Sequence, residues 1–309
     1  MSLKPYTTLR AGGAAEQFVV ARSADDMASI SEYAHRHDLP VTYLGYGSNV
    51  LPSDDGVPGL TVLNRSSRIE IDRNGTVRAE TGCSFQDLFL KSVQSGLRGL
   101  EFAVGIPGSL GGALVSNAGA YRSCVSEFLT ELEIVLDGTR QTVSPSWMEF
   151  SYRNSILRRA KPPRCALLSV TMKLPKGDPK RSYDEAREYQ RQRIGKQPPS
   201  PSAGSFFKNV NDSVLAESLE TLPPALKVAG VVPAGYLIEQ AGMKGYRFGG
   251  AMMGRRHANF VLNVKNATAA EIYHLAESVK KRVARRFGVC LEEEVLYLGD
   301  WSRVGRSHD

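Results

Sequence analysis

Residues 105–121, GIPGSLGGALVSNAGAY, are the part of the chain from which the fold can be argued. This segment contains five glycines, one proline and no charged residue. Glycine allows positive φ and a close approach of another molecule to the backbone, so the segment is expected to present main-chain N–H groups. Successive N–H groups form a concave anion site that suits phosphate. A plain structural turn is the alternative interpretation.

A dinucleotide-binding Rossmann fingerprint would also contain several glycines, but the sequence argues against it. That fingerprint needs a strand, a tight turn and a long helix. Pro107 interrupts the pattern, and Asn-Ala-Gly at 117–119 ends any helix soon after the glycines. A second glycine-rich loop, GYGSNVL at 45–51, follows an apolar run. Two such loops, about sixty residues apart, suit a long ligand with a central pyrophosphate.

Further motifs follow these loops along the chain. They are SYRNS at 151–155, PSAGSFFKN at 201–209, LIEQAGMKG at 237–245, HANFVLN at 257–263 and FGVCLEEEV at 287–295. With the two loops, they resemble the UDP-N-acetylenolpyruvoylglucosamine reductase (MurB) family of cell-wall synthesis over nearly the whole chain. The chain resembles the family's shorter form, because there is too little room between Val170 and Pro201 for an extra tyrosine-bearing loop. It departs from the family at Arg122, where glycine is usual, and at Val210, where proline is usual.

The resemblance implies an α+β fold. It consists of a two-lobed FAD-binding domain of the vanillyl-alcohol-oxidase/PCMH type, followed by a smaller α/β substrate-binding domain. The residues also favour α+β, since short strands are mixed with helices without a regular βαβ alternation. We expect FAD-binding subdomains at 1–70 and 71–190, and a substrate-binding domain at 191–309. The last boundary lies near KQPPSPS at 196–202, which can continue neither a helix nor a sheet.

Capping residues and apolar periodicity predict the main helices. Ser23, Ser84 and Thr268 each precede an amphipathic run, and Gly288 ends the last of these runs. A strongly charged helix is predicted over 183–194. Strands are predicted at 41–44, 60–63, 77–81, 132–136, 167–174 and 289–298.

Composition narrows the class of protein. No apolar run reaches membrane-spanning length and residues 1–10 contain no hydrophobic signal region, so we expect a cytoplasmic protein that does not bind a membrane. The four cysteines are far apart, and no cluster has metal-ligand spacing, so we expect no disulfide and no metal. The formal net charge of +7 is scattered, which favours small anionic substrates over nucleic acid. We also expect a monomer.

The resemblance implies FAD as the cofactor and NADPH as the hydride source. It places the flavin on the two glycine-rich loops. The implied cofactor-binding residues are Gly45, Gly47, Ser48, Asn49, Val50, Gly105, Ile106, Pro107, Gly108, Ser109, Gly111, Gly112, Asn117, Ala118, Gly119 and Tyr121.

The resemblance also implies three catalytic residues for the reduction of UDP-N-acetylglucosamine enolpyruvate to UDP-N-acetylmuramate. Ser205 would donate a proton, although without the family it is typical of a turn serine. Arg153 would bind the substrate carboxylate through its planar guanidinium, and a solvated loop arginine is the alternative. Glu294 would be the acid, with Glu292 as the alternative on the same strand face. Glu293 would lie on the opposite face and point to water.

Five further residues are implied in substrate binding. They are Tyr152, Lys208, Asn209, Glu239 and Lys244, and each could equally be a structural hydrogen-bonding residue, as could His257. Two other functions stay open. A flavin oxidase of the same fold, acting on an alcohol or a sugar, would not need Arg153, Ser205 and Glu294 together. A catalytically silent nucleotide-sugar-binding protein would need none of their chemistry.

Because the two glycine-rich loops contain neither histidine nor cysteine, we predict that FAD is bound non-covalently. Acid denaturation of the purified protein should release the flavin, whose two visible absorption bands should leave the protein fraction. A flavin that stays with the denatured chain would contradict this prediction.

Overall fold

The computed structural model describes residues 1–195 and 197–304, and Lys196, the first residue of the predicted linker, lies outside these ranges. The helices are α1 Ala24–Arg36, α2 Phe85–Gln94, α3 Leu110–Val115, α4 Pro179–Ile194, α5 Ser213–Ser218, α6 Pro224–Ala229, α7 Ala234–Gln240 and α8 Ala269–Phe287. The strands are β1 Ala15–Ala21, β2 Val41–Leu44, β3 Val50–Pro52, β4 Val57–Asn64, β5 Ile69–Ile71, β6 Thr76–Glu80, β7 Gly119–Ala120, β8 Ser123–Cys124, β9 Leu129–Leu136, β10 Thr139–Val143, β11 Cys165–Lys173, β12 Ser202–Ser205, β13 Val210–Asn211, β14 Val231–Val232, β15 Arg247–Phe248, β16 Ala251–Met253, β17 Phe260–Asn263 and β18 Leu296–Leu298. The predicted mixture of helices and strands is therefore confirmed.

The three predicted caps begin their helices. Ser23 and Ser84 each accept a hydrogen bond from the amide three residues further on, at 3.0 and 3.2 Å. Thr268 and Glu271 form a complete capping box, and Gly288 ends α8 in the left-handed conformation. These local signals were sufficient because each cap is satisfied by its own helix.

The first compact unit contains Met1, Ala15–Gly47 and Pro58–Gly195. Its larger sheet has the strand order β10-β9-β11-β6-β5, and its smaller sheet has the order β1-β4-β2. The buried face of α1 packs in one apolar cluster with Val62 of β4 and Leu168 of β11. This helix therefore joins the two sheets of the unit.

A second apolar cluster of this unit anchors the glycine-rich residues 105–121. It contains Phe85 of α2, Ile134 of β9 and Leu167 of β11, together with Leu110 and Leu114 of α3. Leu110 and Leu114 are fully buried. The short helix α3 is therefore fixed by its apolar side chains, while its glycines stay available for close main-chain contacts.

The second compact unit contains Ser2–Ala14, Ser48–Val57 and the described residues from 197 onward. Its four-stranded antiparallel sheet has the order β12-β17-β16-β15, and β3 pairs in parallel with β18. Leu9 and Leu51 are buried in the same cluster as Val279 of α8. Two N-terminal segments thus complete a core that is otherwise C-terminal. The domains predicted at 1–70, 71–190 and 191–309 stay a prediction, and the two compact units have different bounds.

The strand predicted over 289–298 is wrong for most of its length. Only Leu296–Leu298 forms a strand, and Glu293 makes an isolated bridge to Phe207. The chain bends at Val295 because residues on either side pair with different segments, 206–208 before the bend and β3 after it. The other predicted strands and the helices agree with the structure to within a few residues.

Glu133 of β9 makes the stability of the first unit depend on pH. Its carboxylate accepts hydrogen bonds from Arg78, Arg140 and Ser169 at 2.8–2.9 Å. Burial raises the pKa of Glu133, but the hydrogen bonds and the arginine charges outweigh burial and hold that pKa below its usual value of 4.5. A carboxyl group with a lowered folded-state pKa stabilises the fold above its unfolded-state pKa. That stabilisation is lost as the pH falls through the folded-state pKa.

We therefore predict that the free energy of unfolding decreases as the pH falls below 4.5, and that Glu133→Gln makes this decrease shallower. Urea denaturation at a series of acidic pH values measures both quantities. Glu131→Gln is the matched control, since Glu131 is an exposed residue of the same strand. An equally steep decrease in the wild type and in Glu133→Gln would contradict the prediction.

Candidate active site

The glycine-rich stretch, defined here as residues 105–121, lies in the first unit and contains α3. Its N-cap, Ser109, accepts a hydrogen bond from the Gly112 amide at 3.2 Å. The helix ends at Val115, two residues before Asn117. No long helix follows the glycines, which agrees with the argument against a Rossmann fingerprint.

Many main-chain amides of the glycine-rich stretch are already paired within the protein. The Gly111 amide donates to the Thr81 carbonyl at 2.7 Å, and a Cβ atom on Gly111 would lie 3.0 Å from that oxygen. Among the described residues, no acceptor pairs with the amides of Gly108 and Ser109. The expectation of a continuous run of free N–H groups is therefore corrected. Gly111 is needed for close packing on Thr81, and the amides of Gly108 and Ser109 are among those left for an anion.

The upstream loop, residues 45–51, approaches the glycine-rich stretch within the first unit. A Cβ atom on Gly45 would lie 2.2 Å from the Ser109 Oγ, so glycine is the residue that fits. Arg65 donates to the Gly45 carbonyl at 2.8 Å, and its guanidinium lies 4.7 Å from the centroid of the Tyr46 ring. The two glycine-rich segments are in contact at Gly45 and Ser109.

The remaining residues of the upstream loop belong to the second unit. Asn49 donates through Nδ2 to the Glu294 carbonyl at 3.1 Å, and its own carbonyl accepts from the Leu296 amide at 3.0 Å. Val50 pairs with Leu296 in the parallel ladder of β3 and β18. Asn49 therefore holds the main chain that carries the candidate acid.

The SYRNS segment, residues 151–155, folds against the glycine-rich stretch. Asn117 donates through Nδ2 to the Ser151 carbonyl at 3.2 Å, and Arg153 donates through Nη2 to the Gly119 carbonyl at 2.7 Å. Asn117 is only 7% exposed, and its Oδ1 atom has no hydrogen-bond partner among the described residues. A buried acceptor without a partner marks a position where the donor of a ligand fits.

Helix α4 contacts both ends of the glycine-rich stretch, which the sequence analysis missed. The rings of Tyr121 and Tyr189 stack with their centroids 3.7 Å apart, and the Tyr121 hydroxyl donates to the Tyr189 carbonyl at 3.1 Å. Arg193 donates through Nη1 to the Gly105 carbonyl at 3.3 Å. A hydrogen bond to Glu185 raises the pKa of Tyr189 to about 12. The available signal was the spacing of Tyr189 and Arg193, four residues apart on one helix face.

Ser205 and Glu294 lie on adjoining segments of the second unit. Ser205 is half-buried at the end of β12, where it pairs with Phe260 of β17. The carbonyl of the next residue, Phe206, accepts from the Glu294 amide at 2.8 Å. Gly204 has φ +75°, and apart from its two chain neighbours no described residue lies within 4 Å of the position that its Cβ would take. Open space therefore adjoins the strand end that carries Ser205.

The three consecutive glutamates have different surroundings. Glu292, 71% exposed, pairs with the Lys208 ammonium, whose side chain is 10% exposed. Glu293 is 17% exposed and pairs with Lys280 of α8 at 2.9 Å. The expectation that Glu293 points to water is wrong, because α8 packs against that face and supplies a cation. Glu292 and Glu293 therefore meet different lysines, Lys208 after β12 and Lys280 on α8.

The other expected substrate-binding residues are already paired or lie at the surface. Lys244 and Glu239 form an ion pair at 2.7 Å. Asn209 accepts through Oδ1 from the first amide of α7 at 3.2 Å. Tyr152, in the first unit, is 49% exposed. His257 accepts through Nδ1 from the amide two residues further on, at 3.3 Å, which is a structural hydrogen bond.

The described ranges contain all four cysteines, and each is a free thiol. Within 1–195 and 197–304, no set of three or more His, Cys, Asp or Glu side chains is arranged so that it could hold a metal ion. The helices of those ranges include none with both the length and the apolar character that a membrane span requires.

Two protein-family models match the chain. A model described as an FAD binding domain matches residues 15–144, which include the glycine-rich stretch. The model of the UDP-N-acetylenolpyruvoylglucosamine reductase C-terminal domain matches residues 196–298, which include Ser205 and Glu294. The protein is therefore an FAD-dependent oxidoreductase of α+β fold.

Comparison with similar proteins shows to which family of FAD-dependent oxidoreductases the chain belongs. The UDP-N-acetylenolpyruvoylglucosamine reductase of Acaryochloris marina is 38% identical over 98% of this chain and 93% of its own, and that of Rubrobacter xylanophilus is 37% identical over 96% and 94%. The crystal structure of the Thermus caldophilus enzyme (MurB) is similar with a TM-score of 0.76 at 30% identity, covering 96% of this chain and 97% of that one. The chain belongs to the UDP-N-acetylenolpyruvoylglucosamine reductase (MurB) family, as its motifs indicated.

The unpaired groups of the first unit fit an FAD. The amides of Gly108 and Ser109 suit a phosphate oxygen, because two adjacent N–H groups offer an anion two donors. The absence of a side chain at Gly45 lets the upstream loop pack against Ser109, beside these amides. The buried Oδ1 of Asn117 can accept from a ligand N–H or O–H group.

We predict that Gly111→Val lowers FAD occupancy, because the valine side chain would clash with Thr81 and displace the nearby amides of Gly108 and Ser109. The ratio of flavin absorbance to protein absorbance measures occupancy. Gly195→Val is the matched control, since a Cβ there would meet only the Arg191 carbonyl oxygen, at 3.7 Å. Normal occupancy in Gly111→Val would show that this stretch does not hold the flavin.

Proposed function

We propose that this protein catalyses the NADPH-dependent reduction of UDP-N-acetylglucosamine enolpyruvate to UDP-N-acetylmuramate, in the synthesis of peptidoglycan precursors. The observation that carries this proposal is the placement of Ser205 beside Glu294 on adjoining segments, in a chain of this family. FAD, when bound, supplies the hydride transfer. The residues of the protein supply binding, orientation and a proton.

Ser205 is the proposed proton donor to the substrate carbon next to the one that receives hydride. Its position at a strand end beside open space suits contact with a bound substrate. A neutral hydroxyl is a poor acid, so it needs a neighbour that assists proton release. We assign that role to Glu294. Glu292 suits it less well, because its carboxylate is already engaged in an ion pair with the Lys208 ammonium.

Arg153 is the proposed binding residue for the substrate carboxylate. Its hydrogen bond to the Gly119 carbonyl orients the guanidinium within the first unit, against the stretch that we assign to the flavin. Negative charge grows on the carboxylate side of the enolpyruvyl group during reduction, and a fixed cation stabilises it. A guanidinium can hold a carboxylate with two parallel hydrogen bonds, which lysine cannot do.

Binding of the two larger ligands is assigned to the remaining predicted residues. Gly108, Ser109 and Asn117 are the flavin-binding residues with the strongest support. The main-chain amides of the first two and the Oδ1 atom of Asn117 lack partners within the described residues. Lys208 and Asn209 directly follow the Ser205 strand and would approach the same substrate. The ion pair of Lys244 and Glu239, like Tyr152, offers donors and acceptors to sugar hydroxyls.

Its partners in this proposal are small molecules alone. The substrate and NADPH both carry phosphate groups, which the net charge of +7 favours. We place the reaction in the cytoplasm and assign it to a monomer, with no nucleic acid or membrane as a partner.

We predict that Ser205→Ala separates the two halves of the reaction. Bleaching of the flavin by NADPH should stay near the wild-type rate, since no proton from Ser205 is needed. Reoxidation of the flavin by the enolpyruvyl sugar should slow by at least the ~10²-fold typical of losing a positioned general acid. Ser205→Cys should keep partial activity, because a thiol can also donate a proton. Anaerobic stopped-flow absorbance measures each step.

Ser202→Ala is the matched control for this experiment, because Ser202 begins the same strand. It should change neither rate. If Ser205→Ala slows both steps equally, Ser205 is a structural turn residue and the assignment of the proton donor fails.

A further inference from the structure

A buried amide side chain binds the segment that directly follows the strand carrying Ser205. Asn259 is 3% exposed and precedes β17. Its Oδ1 accepts from the Phe207 amide at 3.0 Å, and its Nδ2 donates to the Phe207 carbonyl at 2.8 Å. One side chain therefore satisfies both main-chain polar groups of a single residue, as a neighbouring strand would do.

The main chain of Asn259 extends the same contact. Its carbonyl accepts from the Phe206 amide at 2.8 Å, so Asn259 makes three hydrogen bonds to two consecutive residues. On the other side of this segment, the Phe206 carbonyl accepts from Glu294 and the Lys208 amide donates to Glu292, both at 2.8 Å. Residues 206–208 thus lie between Asn259 on one side and the glutamates on the other.

The irregular pairing of β12 makes this support necessary. The register between β12 and β17 shifts between Ser202 and Ser205, and Gly204 within the shift has φ +75°. After Ser205, the ladder with β17 ends, so the peptide groups of Phe207 would have no strand partner. Buried peptide groups without partners are costly, and here the Asn259 side chain provides the partner.

We infer that Asn259 is a positioning residue for proton transfer, which acts by holding residues 206–208 so that Ser205 and Glu294 keep their relative placement. This inference rests on the proposed function. Both phenylalanines that follow Ser205 are fully buried and their rings are in edge-to-face contact at 5.2 Å, so the segment is fixed by packing as well as by Asn259. Loss of the amide should displace the strand end without unfolding it. A displacement of about 1 Å can cost 10²-fold in rate.

The chain offers a matched control. Asn263, in β17, is 7% exposed; its Nδ2 donates to the Leu9 carbonyl at 2.9 Å, and its Oδ1 accepts from the Ala267 amide at 2.7 Å. It is thus a second buried asparagine with both side-chain groups bonded to main chain, but it does not touch residues 206–208. Asn263→Ala removes a similar set of interactions without touching the Ser205 strand.

The experiment uses the flavin-loaded protein and measures both half-reactions by stopped flow for Asn259→Ala, Asn259→Asp and Asn263→Ala. Asn259→Asp keeps the size of the side chain and its acceptor but loses the donor to Phe207. This variant replaces Asn259→Ala in the measurement if the alanine variant retains no flavin. For the Asn259 variants we expect normal reduction by NADPH and at least ~10-fold slower reoxidation by the enolpyruvyl sugar. The solvent deuterium isotope effect on reoxidation should rise, because proton transfer becomes more rate-limiting. For Asn263→Ala we expect a lower melting temperature with both rates unchanged.

Four results would contradict the inference or the function on which it rests. If the Asn259 variants slow both half-reactions equally, or if Asn263→Ala slows reoxidation as much, Asn259 has only a structural role. If reoxidation slows but the solvent isotope effect does not rise, the displacement does not act on proton transfer. If the wild-type flavin is not reoxidised by the enolpyruvyl sugar at all, the proposed function itself fails, which the wild-type trace reveals before any variant is compared.

Discussion

Buried peptide groups must find hydrogen-bond partners even where the chain leaves a regular strand or helix, and this constraint governs the candidate residues of each unit. In the first unit, the Gly111 amide meets the Thr81 carbonyl at 2.7 Å, and this contact leaves no room for a side chain. In the second unit, Asn259 takes the place of a missing strand beside Phe207. In each unit, hydrogen bonds of the main chain therefore fix the segments that carry the candidate site residues.

Four of the nine non-glycine residues with positive φ in the described part of the chain lie in the glycine-rich stretch, next to it or in contact with it. Positive φ is rare for residues other than glycine, yet Asn117, Tyr121, Arg122 and Arg153 all adopt it, at +43°, +54°, +66° and +52°. Arg122 stands where the family usually has glycine, and its φ explains that usual glycine. Strained conformations persist where the surrounding contacts over-determine them, and they are common at ligand sites. Here the stacked tyrosines and the hydrogen bonds to Ser151 and to the Gly119 carbonyl supply those contacts.

Adjacent glutamates of the second unit form ion pairs with lysines from different elements. Glu292 pairs with Lys208, which follows β12, and Glu293 pairs with Lys280 of α8. In the first unit, the Arg153 guanidinium donates to the Gly119 carbonyl, which orients it against the glycine-rich stretch.

The sequence by itself determined the helices with local caps, the α+β class, the order of the motifs and, through the resemblance, the family and the identity of the candidate residues. These were accessible because a cap such as Thr268 with Glu271, or a glycine at a tight approach, is satisfied by neighbours in the chain or by covalent geometry. Only the tertiary structure decided which amides of the glycine-rich stretch stay unpaired, and which glutamate meets which lysine. The contributions of Asn259 and of helix α4 also came from it alone. Each depends on residues brought together from distant positions, such as Asn259 with Phe207 or Arg193 with Gly105, and sequence periodicity carries no information about such pairings.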